Sequence, residues 1–141
     1  MARVPEETPA MIALDTNILL RLLTHDDPAQ LAALGRFFTA RPGEMFLVPD
    51  VVLVEVVWTL RSGFRWDRPQ IVAALRQLAA KPDVRFADRD RVTAALKALE
   101  ADGNFADELI VGLAREEGCS ALATFDLALK ERHPGFVVRP K

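Results

Sequence analysis

At 141 residues, half of them hydrophobic, the chain is about one domain long and can bury a sizeable core without a disulfide or a structural metal. Eighteen basic and twenty acidic residues leave a net charge of −2, which argues against a basic coat that holds nucleic acid non-specifically. Cys119 is the only cysteine, so an internal disulfide and a thiolate zinc cluster are excluded, and a reducing, cytoplasmic setting is expected. No apolar run approaches the ~18 residues of a membrane span. The opening MARVPEETPA lacks the apolar core of a signal peptide, so residues 1–10 read as a flexible leader to a domain spanning 11–141.

Met11–Leu14 reads as a short buried strand that gives way at Asp15, Thr16 and Asn17 to a helix carrying ILLRLL. One helix from Met11 to Thr24 is the alternative, but short polar side chains at 15–17 favour a junction because they cap helix amides. A second helix starts near Asp27–Pro28 and ends before RPG at 41–43, with Leu31, Leu34, Phe37 and Phe38 on one face. MFLV at 45–48 is a strand stopped by Pro49, and Asp50 is placed to cap a helix from Val51 to about Leu60 that ends at Ser62–Gly63. Its valines alone favour strand, yet a ten-residue apolar segment behind a capping residue is long for one. Pro69 suits the first turn of a further helix ending near Lys81–Pro82. VRF at 84–86 is a third strand, and Arg91–Glu100 a helix with Val92, Ala95, Leu96 and Leu99 on one face. A turn at 102–104 leads into a helix from about Ala106 to Glu117, stopped by Gly118. CSALATF at 119–125 is expected to be a buried strand ending at Asp126, followed by a short helix at Leu127–Arg132 and a last strand, FVV, at 136–138.

Strands separated by helices over the whole length predict an α/β fold with a parallel sheet covered by helices. Such folds place ligands beyond the carboxyl ends of their strands, where both Asp15 and Asp126 fall. Glu55 is the most informative acid: it lies between VVLV and VVW, in a helix whose flanking turns pack into the core; the competing reading is that it points outward or pairs with an arginine, but none stands three or four residues away. Asp107 sits in the first turn of its helix, where acids are common for the sake of the exposed amides; Glu108 beside it is expected to remain a solvent-facing charge. Asp15 and Asp126 likewise have good capping roles. As a set the four say more: two end strands, and two lie in the amino-terminal halves of helices. If they converge, their repulsion is relieved by raised pKa values or by a cation, and all-oxygen ligation suits Mg²⁺ or Mn²⁺. His25 and His133 read as capping or surface residues, and no base stands near Ser62, Ser120 or Cys119 to make a nucleophile.

A magnesium–carboxylate site orients a water, lowers its pKa and stabilises charge on a phosphoryl oxygen, which fits hydrolysis of phosphodiesters and also phosphomonoester chemistry. Eight basic and four acidic residues lie between Val57 and Arg91, a local +4 against −6 for the rest of the chain. Arg61, Arg65, Arg68 and Arg76, with Phe64 and Trp66 interleaved, form a candidate edge for phosphates and bases; the competing reading is a solvated, salt-bridged surface with Trp66 tucked beneath it.

With LDTNILLRLL at 14–23, VPDVVLVEVVWTLR at 48–61, GNFADELIVGLAREEGC at 103–119 and LATFD at 122–126, the chain resembles a PIN-domain ribonuclease of the VapC toxin type. The resemblance covers essentially everything after the leader. It implies a three-layer α/β/α domain with a central parallel sheet, and Mg²⁺ or Mn²⁺ held by Asp15, Glu55, Asp107 and Asp126. It further implies support from Asn17 and Thr124, while Arg61, Arg65 and Arg68 of the basic stretch remain candidate RNA contacts. Implied also are endonucleolytic cleavage of RNA, a homodimer, and a cognate antitoxin that covers the active site; no membrane is involved. Two departures stand out. Asn104 occupies a position where many relatives carry aspartate, and Val51–Val52 replaces a small polar residue found a turn before the glutamate. The alternatives are a PIN-family RNA-processing nuclease that is not a toxin, and a non-catalytic RNA-binding module, against which all four acids count. A haloacid-type phosphatase would want a second acid where DTN has none.

Overall fold

The computed structural model describes residues 11–141, so the expected leader at 1–10 lies outside the described residues. These fall into two compact units, one running through Arg89 and the other from Asp90 to Lys141. The first holds β1 (Met11–Ala13), α1 (Thr16–Thr24), α2 (Pro28–Thr39), β2 (Met45–Val48), α3 (Asp50–Ser62), α4 (Arg68–Ala79) and β3 (Val84–Phe86). Its strands form a parallel sheet in the order β1-β2-β3, with Ile12 opposite Phe46 and Phe46 opposite Val84. Met11–Ala13 therefore belongs to a sheet, which disposes of a single helix from 11 to 24. Parallel strands adjacent in sequence, joined by crossovers of one hand, carry those crossovers over one face. In keeping with this, α1 from the first crossover packs against α3 from the second.

Helix α3 shows why burial overrides propensity. Val52, Leu53, Val56, Val57 and Leu60 are all buried, and their spacing makes one continuous stripe of a helix surface. A valine costs at most about 0.7 kcal/mol against alanine in a helix, whereas full burial of an aliphatic side chain is worth roughly 1.5–3 kcal/mol. The start of α3 differs from expectation. Pro49 is the N-cap and supplies no side-chain cap bond, while Asp50 already has helical conformation as the first residue. Pro49, at φ −65° and ψ 153°, ends the strand itself, leaving Asp50 to meet the positive end of the helix as a charge in its first turn. In α4, by contrast, Asp67 and Gln70 form a reciprocal capping box, and Pro69 sits in the first turn as expected.

The second unit holds α5, whose residues Arg89–Glu100 begin at the boundary, then α6 (Phe105–Glu116), β4 (Leu122–Ala123), α7 (Leu127–Arg132) and β5 (Val137–Val138). Val92, Ala95, Leu96 and Leu99 are buried, as the spacing predicted. Strands β4 and β5 pair in parallel, Leu122 with Val137 and Ala123 with Val138. Val111, Leu129, Phe136 and Val137 pack into a small core beside them. The expected buried strand over 119–125 shrinks to two residues, and Cys119 to Ala121 and Phe125 are exposed. Its partner β5 is equally short, so the ladder ends before the apolar run does. Among the described residues no helix is long and apolar enough to cross a membrane.

Glu108 is the clearest correction. Instead of facing solvent it is buried, at 9% exposure, and its two oxygens take different partners. Arg132 Nε donates to Oε1 at 3.0 Å, and His133 Nε2 lies 2.8 Å from Oε2. Sequence spacing hid this, because both partners lie 24 and 25 residues away, at the end of α7. Gly103 makes the close approach possible: a Cβ there would stand 2.7 Å from the Arg132 guanidinium carbon. The pairings tie the first turn of α6 to the last turn of α7. Glu108→Ala should cost about 1.5–3 kcal/mol, the worth of hydrogen bonds to charged groups, read as a lower urea midpoint with an unchanged slope.

Candidate active site

Each unit brings two of the four predicted acids to a helix start or to its immediate neighbour. In the first, Asp15 closes the β1–α1 junction in extended conformation, and its Oδ1 accepts from the Ile18 amide at 3.0 Å. Capping and a functional role are thus not rivals at this position: one oxygen is fixed by the helix, and the side chain remains exposed. The next residue, Thr16, donates its hydroxyl to Glu55 Oε1 at 3.0 Å. This holds the glutamate of α3 one residue from Asp15 in the chain. The flanking turns pack into the core as expected, and Glu55 itself is exposed, because α3 turns Val52, Leu53, Val56 and Val57 inward and leaves position 55 outside the stripe. Sequence reasoning missed Thr16 as a partner. It answers the departure at Val51–Val52, since the glutamate takes its support from α1. Asn17 is exposed, and with Asp15 it lines a groove of about 490 Å³ whose other walls include Ile12, Leu34 and Phe37.

In the second unit Asn104 caps α6, its side chain accepting from the Asp107 amide at 2.9 Å. An asparagine does this as well as an aspartate without adding charge beside Asp107. Asp126 caps α7 by accepting from the Leu129 amide at 3.1 Å, and its own amide donates to Thr124 Oγ1 at 3.1 Å. Thr124 therefore positions the backbone of the terminal aspartate. Asp107 and Asp126 then face each other. The Asp107 carboxyl is held above its ordinary pKa by burial first, next by the negative charges of Asp126 and Glu108, and last by a hydrogen bond with Asp126. Among the described residues no three of His, Cys, Asp and Glu stand together as a ready-made metal cluster. The structure gathers the acids as one group at the α1–α3 contact and one at the starts of α6 and α7.

The candidate RNA-contacting arginines differ in setting. Arg61 is exposed at the end of α3, Arg65 is exposed with a left-handed φ of 58°, and Arg68 is half-buried as the first residue of α4. Trp66 is half-buried, with its amide donating to Leu60 O at 2.8 Å. His25 is the left-handed C-cap of α1, and His133 the C-cap of α7; neither takes part with the four acids.

A raised carboxyl pKa has a stability consequence of fixed sign. The folded chain holds the Asp107 proton more tightly than the unfolded chain, so this contribution is present at low pH and is lost as pH rises through the raised value. With a chelator present, Asp107→Asn should raise the melting temperature at neutral pH. The gain should shrink as pH falls towards the ordinary carboxylate range; thermal melts across that range check it.

Against known proteins, the family model described as the PIN domain matches residues 12–133, a stretch that runs through both units. A VapC ribonuclease of Aquifex aeolicus (strain VF5) is 25% identical over 124 residues, covering 86% of this chain and 91% of that protein. A solved structure, VapBC2 from Rickettsia felis bound to a DNA fragment from their promoter, is 16% identical with a TM-score of 0.37, covering 92% of this chain and 98% of that one. The family model accounts for nearly all of the described chain, with Asp15, Glu55, Asp107 and Asp126 inside its span, and the protein belongs to the PIN domain family.

Proposed function

We propose that this protein is a divalent-metal-dependent endoribonuclease and the toxin of a toxin–antitoxin pair. The observation that carries the reading is the contact of Asp107 with Asp126. Two carboxylates stand together at helix starts, where burial first and their mutual repulsion second raise the proton affinity of Asp107, a pattern that supports a site built to take a positive charge. Membership of the PIN domain family and similarity to a protein named VapC ribonuclease support the same reading. The donors are all carboxylate oxygens, which fit Mg²⁺ or Mn²⁺ and disfavour soft metals. In this proposal Asp15, Glu55, Asp107 and Asp126 hold the ion; bound there, it supplies a Lewis acid that stabilises charge on a phosphoryl oxygen and lowers the pKa of water.

The chain's own groups do the positioning. Ile18 and Leu129 amides fix one oxygen each of Asp15 and Asp126, and the Thr16 hydroxyl fixes one of Glu55. These side chains meet substrate already oriented, so little entropy is lost when it binds. Arg61, Arg65 and Arg68 take flanking phosphates, and water attacks phosphorus opposite the leaving 3′-oxygen. The P–O3′ bond breaks as the new P–O bond forms, leaving a 5′-phosphate and a 3′-hydroxyl. A homodimer, a cognate antitoxin covering the site and a cytoplasmic location complete the proposal.

Asp15→Asn keeps the shape and the cap while removing charge. Wild type and variant, each with Mg²⁺ or EDTA, should be assayed on structured RNAs with product ends mapped. The variant should lose about two or more orders of magnitude in rate, a few kcal/mol of transition-state stabilisation, and EDTA should abolish wild-type cleavage. Equal cleavage by both proteins, or 2′,3′-cyclic phosphate ends, would overturn the mechanism.

A further inference from the structure

Trp58 is 70% exposed, the barest large hydrophobic side chain among the described residues. Tryptophan is usually well covered, so a bare one on a rigid helix asks for a partner. It lies three residues after Glu55 on α3, which makes the two side chains surface neighbours about 4.5 Å apart along the axis. Helical side chains lean toward the amino terminus, so the indole lies over the turn that carries Glu55. Three residues further on, Arg61 is exposed and makes no ion pair among the described residues. Acid, aromatic plane and free cation thus follow one another along one edge of α3.

We propose that this edge is a track for single-stranded RNA, in which the base beside the reacting phosphate stacks on Trp58 and the next phosphate meets Arg61. The inference rests on the nuclease reading and names the part of the substrate that α3 recognises. A lone aromatic between an acid and a cation matches a nucleotide, which presents a π-face and a negative charge side by side. A protein partner would have to desolvate Glu55 and Arg61 to cover the indole, and interface cores are depleted in charge. The other bare apolar residue of α3, Val51, lies two turns back on the far side of Glu55 and makes no continuous patch with Trp58. Stacking needs an unstacked base, so the track selects single strands over duplexes.

The test is steady-state cleavage of single-stranded RNA of randomised sequence, with Mn²⁺, by wild type, Trp58→Phe and Trp58→Ala, with the mass of each measured by light scattering. Trp58 packs into no core, so both variants should melt as wild type does. The expected result is a KM about tenfold higher for Trp58→Ala with kcat little changed, rescue by Trp58→Phe, and identical masses. An unchanged KM in Trp58→Ala, with wild type active, would overturn the stacking role and leave the nuclease reading intact. A smaller mass for Trp58→Ala would overturn it in favour of a second copy of the chain on this face. Wild type that cleaves no RNA would remove the nuclease reading, and this inference with it.

Discussion

Negative charge is hard to concentrate in a folded chain, and here the acids are placed at or beside the starts of helices. A helix's first amides lack intrahelical acceptors and carry the positive end of its dipole, so a carboxylate there is both hydrogen-bonded and electrostatically favoured. Asp15 and Asp126 are N-caps, Asp107 stands in a first turn capped by Asn104, and Glu55 is drawn to the start of α1 by Thr16. Each acid is stabilised by its own local structure.

The same device has a limit, reached where Asp107 meets Asp126 with Glu108 alongside. Helix amides stabilise one carboxylate each and do not cancel the repulsion between two; burial first, and that repulsion second, raise the proton affinity of Asp107. Glu108 shows how the chain treats a neighbouring acid that is not to share the site. It is turned inward and paired with Arg132 and His133, although its charge is still felt by Asp107. Adjacent acids in one sequence, Asp107 and Glu108, thus have opposite fates set by which side of α6 they occupy.

Much of this was legible from sequence because the signals are local. Proline, short polar caps and the spacing of apolar residues located the helices, and the position of Asp15 and Asp126 after apolar runs marked strand ends. What escaped was long-range. Thr16 reaches Glu55 across 39 positions, and Glu108 reaches Arg132 across 24, distances at which no helical or strand period carries information. For Glu55 the sequence left orientation open: one helical stripe accounts for all the buried valines and leaves position 55 outside it. The run at 119–125 failed because apolar composition does not fix strand length when the partner strand has only two residues to pair.

The central proposal is that Asp15, Glu55, Asp107 and Asp126 hold one ion in common. The most direct test is a double-mutant cycle on Mn²⁺ affinity, measured by calorimetry, with Asp15→Asn, Asp107→Asn and the double variant. Residues sharing one ion are coupled, so the double variant should lose much less affinity than the two single losses combined. Additive losses, or wild-type Mn²⁺ affinity in either single variant, would contradict a shared site.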